Sequence, residues 1–578
     1  MTKKKIDIIT LELINNFLYS VVDEMTLATV RTSFSPLTRD SYDFLVGLCC
    51  ANGETLLEGE GALVHSLHYP HIISNWMQTH GSSTYPDDII ITNDTYSGGA
   101  HLPDIFMMQP IFGDDDNIMA WAVAGGHLGD VGGSVFGSCA CDSREIYQEG
   151  LRVPPMKLYE RGVLNNDLLT IYKANSRTPE IIEAGIEAFR AACYTGKERF
   201  LELVKEHGWH TLRIYLDELL NYAERMTRDE IGKMPDGVYE FTDYMDDDGI
   251  NPDLLTIHVK ITIAGDEITY DFTGTSTQGE GAMNNPLGTS RATVLTALRE
   301  MINPDIPRNG GAWRPVNLII PEGTILNPRL PAAVAGRAAT AARQSDVILG
   351  AQSQIRPDKM PACTSTLDHL LNIGGRDRDG KPFILVEVLY GGWGGRPNAD
   401  GIDHMSPPFG NVANQPCETN ERLYPIMYNQ YAYMADREGP GKYRGSAAII
   451  RDYKFIGDKA VLQLRTDRQR TGTYGLYGGQ RGTPSESIIN PDNENRHIGK
   501  ITMDIKNGDV YRLITAGGGG WGDPLERDVR MVLDVVRNEK ISLKRAKETY
   551  GVVINKNTMG VDVAETQRLR NKMKRDRK

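Results

Sequence analysis

The stretch 101–130 constrains the fold most, because it predicts a long β-hairpin. Two apolar runs, 105–108 and 118–123, flank the polar turn 113–117, which contains glycine, asparagine and three consecutive aspartates. Apolar runs on either side of such a turn are typical of two antiparallel strands. A second hairpin is predicted upstream, where Asn52-Gly53 separates two shorter apolar runs. The amino-terminal part of the chain should therefore contain an antiparallel sheet.

Polar side chains gather at the open end of the long hairpin. If its turn centres on Asp115, position 103 faces position 127, and His101, Asp104 and His127 then converge. Two imidazoles and a carboxylate on short loops rich in glycine and proline are suited to a divalent metal ion. Taken singly, each histidine is more often a structural residue with hydrogen bonds, so the prediction depends on the hairpin.

The first hairpin adds a fourth donor to this group. Asp43 precedes its first strand, and by the same arithmetic the partner strand ends near Ala62. His65 and His68 follow just beyond that point. We expect these two histidines to be reserve ligands or partners that orient the ligands.

The remaining pattern mixes helices and strands. Apolar residues at three- and four-residue steps predict helices over 10–32, 178–206, 208–231, 290–302 and 338–355. Alternating runs predict strands from about 235 and again over 381–525. We therefore expect an α+β fold, a multi-domain but intertwined body of helices and largely antiparallel sheet. Its regions are a metal-binding part (1–232), an α+β middle (233–380), a β-rich part with glycine turns (381–525) and a helical tail (526–578).

Composition excludes several classes of protein. The 578 residues carry a net charge of −13, which argues against a nucleic-acid partner. No apolar stretch approaches the ~20 residues of a membrane span, and the amino terminus lacks the apolar core of a signal peptide. Seven cysteines without a regular spacing do not predict a disulfide framework. We expect a cytoplasmic protein that binds no membrane.

Long motifs give the chain a family resemblance. The segments NDTYSGGAHLPD (93–104), GHLGDVGG (126–133), EIYQEGLRVPP (145–155) and GGGGWGDP (517–524) occur in the order of landmarks of the hydantoinase B/oxoprolinase family. The resemblance runs from about residue 6 to about residue 555. Thr95 stands where the family usually has proline, a difference that affects a loop and no expected ligand.

The resemblance implies a ligand set and a metal. Asp43, His101, Asp104 and His127 fall on the family's metal positions. Two nitrogens with two carboxylates favour zinc, and the ligand types leave manganese and iron open. We expect Asp130 to orient a ligand histidine or to accept a proton from water.

No phosphate-binding loop is visible in the sequence. GxxxxGK[ST] does not occur, and the glycine-rich stretches 391–395 and 517–522, the second of which has the spacing GxGxxG, lack the Lys-Ser/Thr pair. Glycines that allow close packing are the better interpretation of both stretches. The resemblance implies that ATP and magnesium bind to a hydantoinase A-like partner subunit, in an α2β2 assembly.

Candidate substrate contacts are less sharply marked. Arg337 lies beside an alanine-rich segment, Arg396 follows a glycine-rich turn, and Glu421 lies in the polar segment 414–421; a cationic or amide group there could hold a carbonyl or a developing oxyanion. Arg343 follows Arg337 on the same predicted helix. For each of them, a structural ion pair is an equally good interpretation.

The reaction implied by the family is ATP-dependent opening of a cyclic amide such as a hydantoin, oxoproline or a lactam. Two alternatives stay open. One is a subunit of an acetone- or acetophenone-type ketone carboxylase, and the other is a scaffold subunit without catalysis. The sequence does not specify the ring.

Overall fold

The computed structural model describes residues 6–577, apart from positions 115 and 408 and the side chain of Thr366. This part of the chain forms twelve α-helices: α1 (Ile8–Thr32), α2 (Pro36–Arg39), α3 (His68–His80), α4 (Asn166–Asn175), α5 (Pro179–His207), α6 (Trp209–Ile231), α7 (Leu287–Met301), α8 (Arg337–Ile355), α9 (Cys417–Leu423), α10 (Val529–Arg537), α11 (Leu543–Glu548) and α12 (Val563–Asp576). The five long predicted helices are confirmed as α1, α5, α6, α7 and α8. None of the described helices combines the length and apolar content that a bilayer crossing needs.

The amino-terminal region is built on a seven-stranded antiparallel sheet. Its strands are β1 (Phe44–Cys50), β2 (Thr55–Glu58), β3 (Ile89–Thr92), β4 (Asp104–Phe112), β5 (Ile118–His127), β6 (Met156–Glu160) and β7 (Val163–Leu164). They are arranged in the order β2-β1-β5-β4-β3-β6-β7. Both predicted hairpins are present, as β1–β2 and β4–β5. The expected turn centre, Asp115, lies outside the described residues.

Both faces of this sheet are buried, which explains its nearly continuous apolar strands. Side chains alternate between the faces, so Val46 and Ala122 join the core under α1 and α5. Leu45 and Val123 point the other way and join a second core with α3. The two cores hold β1 and β5 side by side, and the ends of these strands carry the polar residues described below.

A buried acid at the end of β2 makes stability depend on pH. Glu58 is 6% exposed, and burial raises the pKa of its carboxyl to about 7, against smaller opposite effects of Arg299 and Arg308. The folded state therefore keeps a proton that the unfolded state releases near pH 4.3. Because the folded-state pKa is the higher one, stability falls as pH rises through this window, by on the order of 3 kcal/mol.

Glu58→Gln should remove this loss. We expect the variant to match the parent protein near pH 4 and to be about 3 kcal/mol more stable at pH 8.5. Urea unfolding midpoints at the two pH values measure the difference. Glu526→Gln, which alters an exposed glutamate far along the chain, is the control and should keep the parent's pH dependence. Identical midpoints for Glu58→Gln and the parent at pH 8.5 would contradict the assignment.

The middle region packs two helices against a four-stranded sheet. Its strands are β8 (Gly237–Met245), β9 (Leu255–Ala264), β10 (Glu267–Asp271) and β11 (Val316–Ile319), in the order β11-β10-β9-β8. β10 and β11 are parallel, while the other pairs are antiparallel. α8 packs on β8 and β9, and α7 packs on α8. These contacts place the first residue of α8, Arg337, at the junction with the amino-terminal sheet.

Two further sheets form the β-rich region. Their strands alternate along the chain: β12 (Ser365–Arg376), β13 (Pro382–Gly392), β14 (Ile426–Met434), β15 (Ala448–Phe455), β16 (Lys459–Thr466), β17 (Glu486–Ile489), β18 (Arg496–His497), β19 (Ile501–Lys506) and β20 (Val510–Ile514). One sheet has the order β13-β12-β16-β19 and the other β14-β15-β20-β17-β18. A shared apolar core joins them. The tail holds α10–α12 and a small pair, β21 (Ile554–Asn555) and β22 (Gly560–Val561).

The predicted α+β class with largely antiparallel sheets is confirmed. The predicted domain boundaries near 232, 380 and 525 stay predictions. Position 380 lies in the turn between β12 and β13, which pair with each other. The chain therefore continues within one sheet at that point.

The glycine-rich stretches 391–395 and 517–522 are places where backbones touch. A Cβ on Gly519 would overlap the carbonyl oxygen of Tyr474. The Gly395 amide donates to the Gly519 carbonyl at 2.8 Å, so the two stretches contact each other directly. The interpretation of these glycines as close-packing residues is confirmed.

Candidate metal centre

The open end of the long hairpin places Asp104 and His127 directly opposite each other. β4 begins at Asp104, β5 ends at His127, and the two residues are paired. The predicted register, with position 103 opposite 127, is wrong by one residue. An irregularity between Ile111 and Phe112 adds one residue to the ladder and shifts the pairing. The expected convergence nevertheless occurs.

His101, Asp104 and His127 form a tight triangle of donor atoms. The Nε2 atom of His101 lies 3.0 Å from the Asp104 Oδ1 atom and 3.0 Å from the His127 Nδ1 atom. The His127 Nδ1 atom lies 3.2 Å from Asp104 Oδ1. All three side chains are buried, and among the described residues they are the group of three potential ligands that could hold a metal ion.

Asp43 and His65 lie beside this triangle. The Ala62 amide donates to the Phe44 carbonyl at 2.9 Å, so the first hairpin continues past the end of β2. The turn that follows places His65 Nε2 3.2 Å from Asp43 Oδ1 and His65 Nδ1 3.9 Å from Asp104 Oδ2. His65 therefore bridges two carboxylates at the site. Asp43 itself is not one of the three clustered ligands.

His68, the other reserve histidine, faces a different neighbourhood. Its Nδ1 atom lies 2.8 Å from the Gly98 carbonyl oxygen, and its Nε2 atom lies 3.3 Å from the Thr289 hydroxyl. Burial lowers the pKa of His68 to about 3. These contacts assign it a packing role between α3 and α7.

Charges at the site keep the donors in the form that binds cations. The Nη2 atom of Arg337 donates to Asp104 Oδ2. Burial opposes ionisation of Asp104, but Arg337 and His101 hold the pKa of its carboxyl well below the usual range. Burial lowers the pKa of His101 to about 4, against the opposite effect of Asp104. At neutral pH the site therefore offers an ionised carboxylate and a neutral imidazole.

A narrow cavity of about 70 Å³ opens beside the triangle. A cavity of this volume has room for about five to seven groups the size of a water molecule, which is enough for a ligand with a single small ring. Its polar lining is Asp43, His101, His127, Cys139, Arg337 and Arg465. The rest of the wall is apolar: Ala62, Val64, Ala335, Ala338, Leu367, Leu370, Val386, Val388, Tyr390, Phe409, Gly410 and Val412.

Asp130 lies close in sequence to His127 but has different partners. Gly129 adopts a φ of 85°, and this left-handed turn redirects the chain. The Asp130 carboxylate accepts hydrogen bonds from the Gly137 amide at 3.0 Å and from the Arg177 amide and guanidinium at 2.6 and 2.9 Å. None of its described hydrogen bonds reaches His101 or His127, so its expected catalytic role has no supporting contact.

Arg337 is the predicted substrate residue that lies at the site, whereas Arg396 and Glu421 do not line the cavity. The Arg396 guanidinium donates to the Asp400 carbonyl oxygen at 2.9 and 3.1 Å. The Glu421 carboxylate accepts from the Tyr428 amide at 2.7 Å. Both side chains therefore bond to backbone atoms of residues nearby in sequence.

Arg343 lies in a separate buried ion network. Its guanidinium pairs with Asp467 at 2.5 Å and with Asp346 at 2.9 Å, and Arg468 also pairs with Asp346 at 2.9 Å. All four side chains are at most 2% exposed. The structural ion pair, one of the two interpretations offered for this arginine, is the one that its contacts support.

Sequence reasoning missed Cys139 and Arg465. The Cys139 thiol lies 3.9 Å from His101 Nδ1, and Arg465 donates to the Cys139 carbonyl oxygen at 2.9 Å. Cys139 lies in the loop that follows the hairpin, whereas Arg465 comes from a strand far along the chain. The one sequence signal was a charge in the otherwise largely apolar strand β16.

Comparisons with known proteins assign the chain to a family. Residues 7–524 match the family described as Hydantoinase B/oxoprolinase, and the chain belongs to that family. It is 35% identical over 571 residues to an uncharacterized protein of Methanocaldococcus jannaschii, covering 98% of this chain and 100% of the relative. It is 28% identical over 568 residues to the caprolactamase subunit beta of Pseudomonas jessenii, covering 96% of this chain and 97% of that protein.

Two solved structures share the fold. The crystal structure of the ATP-dependent caprolactamase from Pseudomonas jessenii superposes with a TM-score of 0.91 at 27% identity, covering 98% of this chain and 100% of that one. A nucleotide-free acetone carboxylase structure superposes with a TM-score of 0.90 at 20% identity, covering 98% of this chain and 83% of that one. The second likeness establishes the fold alone.

Proposed function

We propose that this chain is the substrate- and metal-binding subunit of an enzyme that opens a cyclic amide at the expense of ATP. The observation that carries the proposal is the triangle of His101, Asp104 and His127 beside a small, largely apolar cavity. Membership of the hydantoinase B/oxoprolinase family and the likeness to a caprolactamase subunit support the same reaction class. The ring is proposed to be a hydantoin, oxoproline or a lactam.

The donor set fits a divalent ion. Donors that share one ion at about 2.0–2.2 Å lie about 3 Å from one another, as the three atoms of the triangle do. His101, Asp104 and His127, with Asp43 as the fourth ligand, would hold the ion, and zinc is the first choice.

A divalent ion bound there supplies a Lewis acid that polarises a carbonyl and lowers the pKa of water. The chain's own residues do the rest. Arg337 fixes the Asp104 carboxylate, and His65 fixes that of Asp43. Water adds to the amide carbon, the ring C–N bond breaks, and the departing ring nitrogen takes up the proton that water loses. The apolar walls exclude competing water.

ATP and magnesium are proposed to bind to a hydantoinase A-like partner subunit in an α2β2 assembly. The Pseudomonas jessenii relative is named as a beta subunit, and its enzyme as ATP-dependent. In this chain the glycine-rich stretches are engaged in backbone packing, and neither carries the Lys-Ser/Thr pair of a phosphate-binding loop. An activated amide must be protected from bulk water, so the two subunits should enclose the site together.

The division of labour between subunits can be tested directly. We expect the chain alone to give no heat with ATP and magnesium in calorimetry, because it lacks a loop that binds phosphates. Purified together with the hydantoinase A-like partner subunit, it should consume ATP in step with ring opening when hydantoins, lactams and oxoproline are screened. The complex carrying His101→Ala is the matched control without ring opening. Micromolar ATP affinity of the isolated chain, or ring opening by it unaided, would contradict the proposal.

A ketone carboxylase subunit is the second candidate, because an acetone carboxylase has the same fold. The chain covers all of the caprolactamase chain and 83% of the carboxylase chain, which favours the amidohydrolase. The same assay, supplied with acetone or acetophenone and bicarbonate, separates the two. A scaffold without catalysis is disfavoured, because the expected donors are all present around one cavity.

A further inference from the structure

Arg465 differs from the other buried arginines of this protein. Seven arginines are buried in the described part of the chain. Six of them pair with a carboxylate: Arg337 with Asp104, Arg343 with Asp467, Arg444 with Asp403, Arg451 with Glu387, Arg468 with Asp346 and Arg527 with Asp400. Arg465 has no carboxylate of the described residues within ion-pair distance. A buried cation without a counter-ion is costly, so this exception requires an explanation.

The surroundings of Arg465 are neutral. It lies on β16 with 3% exposure, and its guanidinium donates to the Cys139 carbonyl oxygen at 2.9 Å and to the Asn372 side-chain oxygen at 2.6 Å. Its Nε atom is buried without a partner. Glu149 interacts with it electrostatically, but burial raises the pKa of that carboxyl to about 8. No described carboxylate therefore forms a direct ion pair with Arg465.

Arg465 also lines the cavity of the candidate metal centre. Cys139 connects the two, since its carbonyl accepts from Arg465 and its thiol contacts His101. Within the site, Asp43 and Asp104 balance Arg337 and Arg465. A divalent ion in the triangle would therefore leave the cavity with an excess of positive charge, which favours an anionic ligand.

We propose that Arg465 binds a negatively charged oxygen group, a carboxylate or a phosphoryl group, on the ligand that enters this cavity. The identity of that ligand as a small ring rests on the proposed function. Two sources carry this chemistry: a carboxylate substituent on the ring, or the phosphoryl group of an amide oxygen activated with ATP. In either case Arg465 determines which ligands are held beside the metal centre.

Binding measurements on the full chain, loaded with zinc, test the proposal. The probes are 5-oxoproline, inorganic phosphate and 2-pyrrolidone, the last having the ring of oxoproline without its carboxylate. We expect calorimetry to show that at least one anion binds more tightly than 2-pyrrolidone. Arg465→Met should weaken that anion roughly a hundredfold and leave 2-pyrrolidone unchanged, and Arg465→Lys should recover part of the loss. Selective loss of oxoproline identifies a ring carboxylate, and loss of phosphate identifies a phosphoryl group.

Arg512→Met is the matched control, since Arg512 pairs with Asp452 away from the cavity lining. It should bind all probes as the parent protein does. Thermal unfolding and metal content verify that the variants are folded, and Arg465→Lys keeps the positive charge if the methionine variant does not fold. Parental anion affinity in both Arg465 variants, or no preference for anions in the parent, would overturn the proposal.

Turnover by the complex with the partner subunit separates this proposal from the proposed function. If no cyclic amide is opened but Arg465→Met still loses anion binding, the proposed function fails and the anion site stands. If rings are opened equally well by the parent and by Arg465→Met, the anion site fails and the function stands.

Discussion

Asp104→Asn should yield a folded chain without metal and with at least about a thousandfold lower ring-opening activity. Asp104 is fully buried, one of its oxygens meets both histidines, and the other accepts from Arg337. Asparagine has the same shape, but it removes the negative charge that attracts a divalent ion. Metal analysis of the purified parent should find about one ion per chain, and His101→Ala should lose it as well.

Asp88→Asn is the matched control for this experiment. Asp88 is equally buried, but it pairs with Lys157 at 3.0 Å away from the cavity lining. This control should keep the metal. Full metal content in both Asp104→Asn and His101→Ala would show that the ion binds elsewhere or not at all.

Arg343→Met should destabilise the protein by about 3–5 kcal/mol, because it leaves buried carboxylates without a partner. Asp467 loses its 2.5 Å ion pair, and Asp346 loses one of its two arginine partners. The network connects α8 to the segment after β16. Loss of the Arg343 ion pairs therefore weakens the contact between two regions of the fold. The midpoint of urea unfolding, followed by circular dichroism, measures the effect.

Arg356→Met is the corresponding control at the end of the same helix. Arg356 pairs with Asp358, whose side chain is 62% exposed, and such surface pairs contribute at most about 1 kcal/mol. Its midpoint should lie close to that of the parent. Equal losses in the two variants would mean that the network around Arg343 adds nothing beyond a surface ion pair.

The centre of the site was predictable because it depends on local pairing. Counting outward from the turn at 113–117 brings His101, Asp104 and His127 together even though the register was wrong by one residue. The long helices were predictable for the same reason, since their apolar spacing is a property of short windows of sequence. The role predicted for Asp130 assumed that the chain continues in the direction of His127. The left-handed turn at Gly129 redirects it.

The walls of the cavity could not be predicted in this way. Leu370, Val388 and Arg465 lie on β12, β13 and β16, and these strands approach the hairpin through contacts between distant parts of the chain. The packing of whole layers decides which sheets face each other. The residue pattern within a single strand carries no information about that packing. Arg396 and Glu421 were misplaced for this reason.

The cavity draws on residues from Asp43 to Arg465, and this has a consequence for biogenesis. A chain is synthesised from its amino terminus, and early regions fold before later ones exist. The histidine pair is therefore made hundreds of residues before the strands that enclose it. Until β16 has been synthesised, the pair is open to any ion that imidazole attracts. If the site holds the proposed ion, selection of that ion would follow completion of the chain, and the finished wall would decide which ion stays bound.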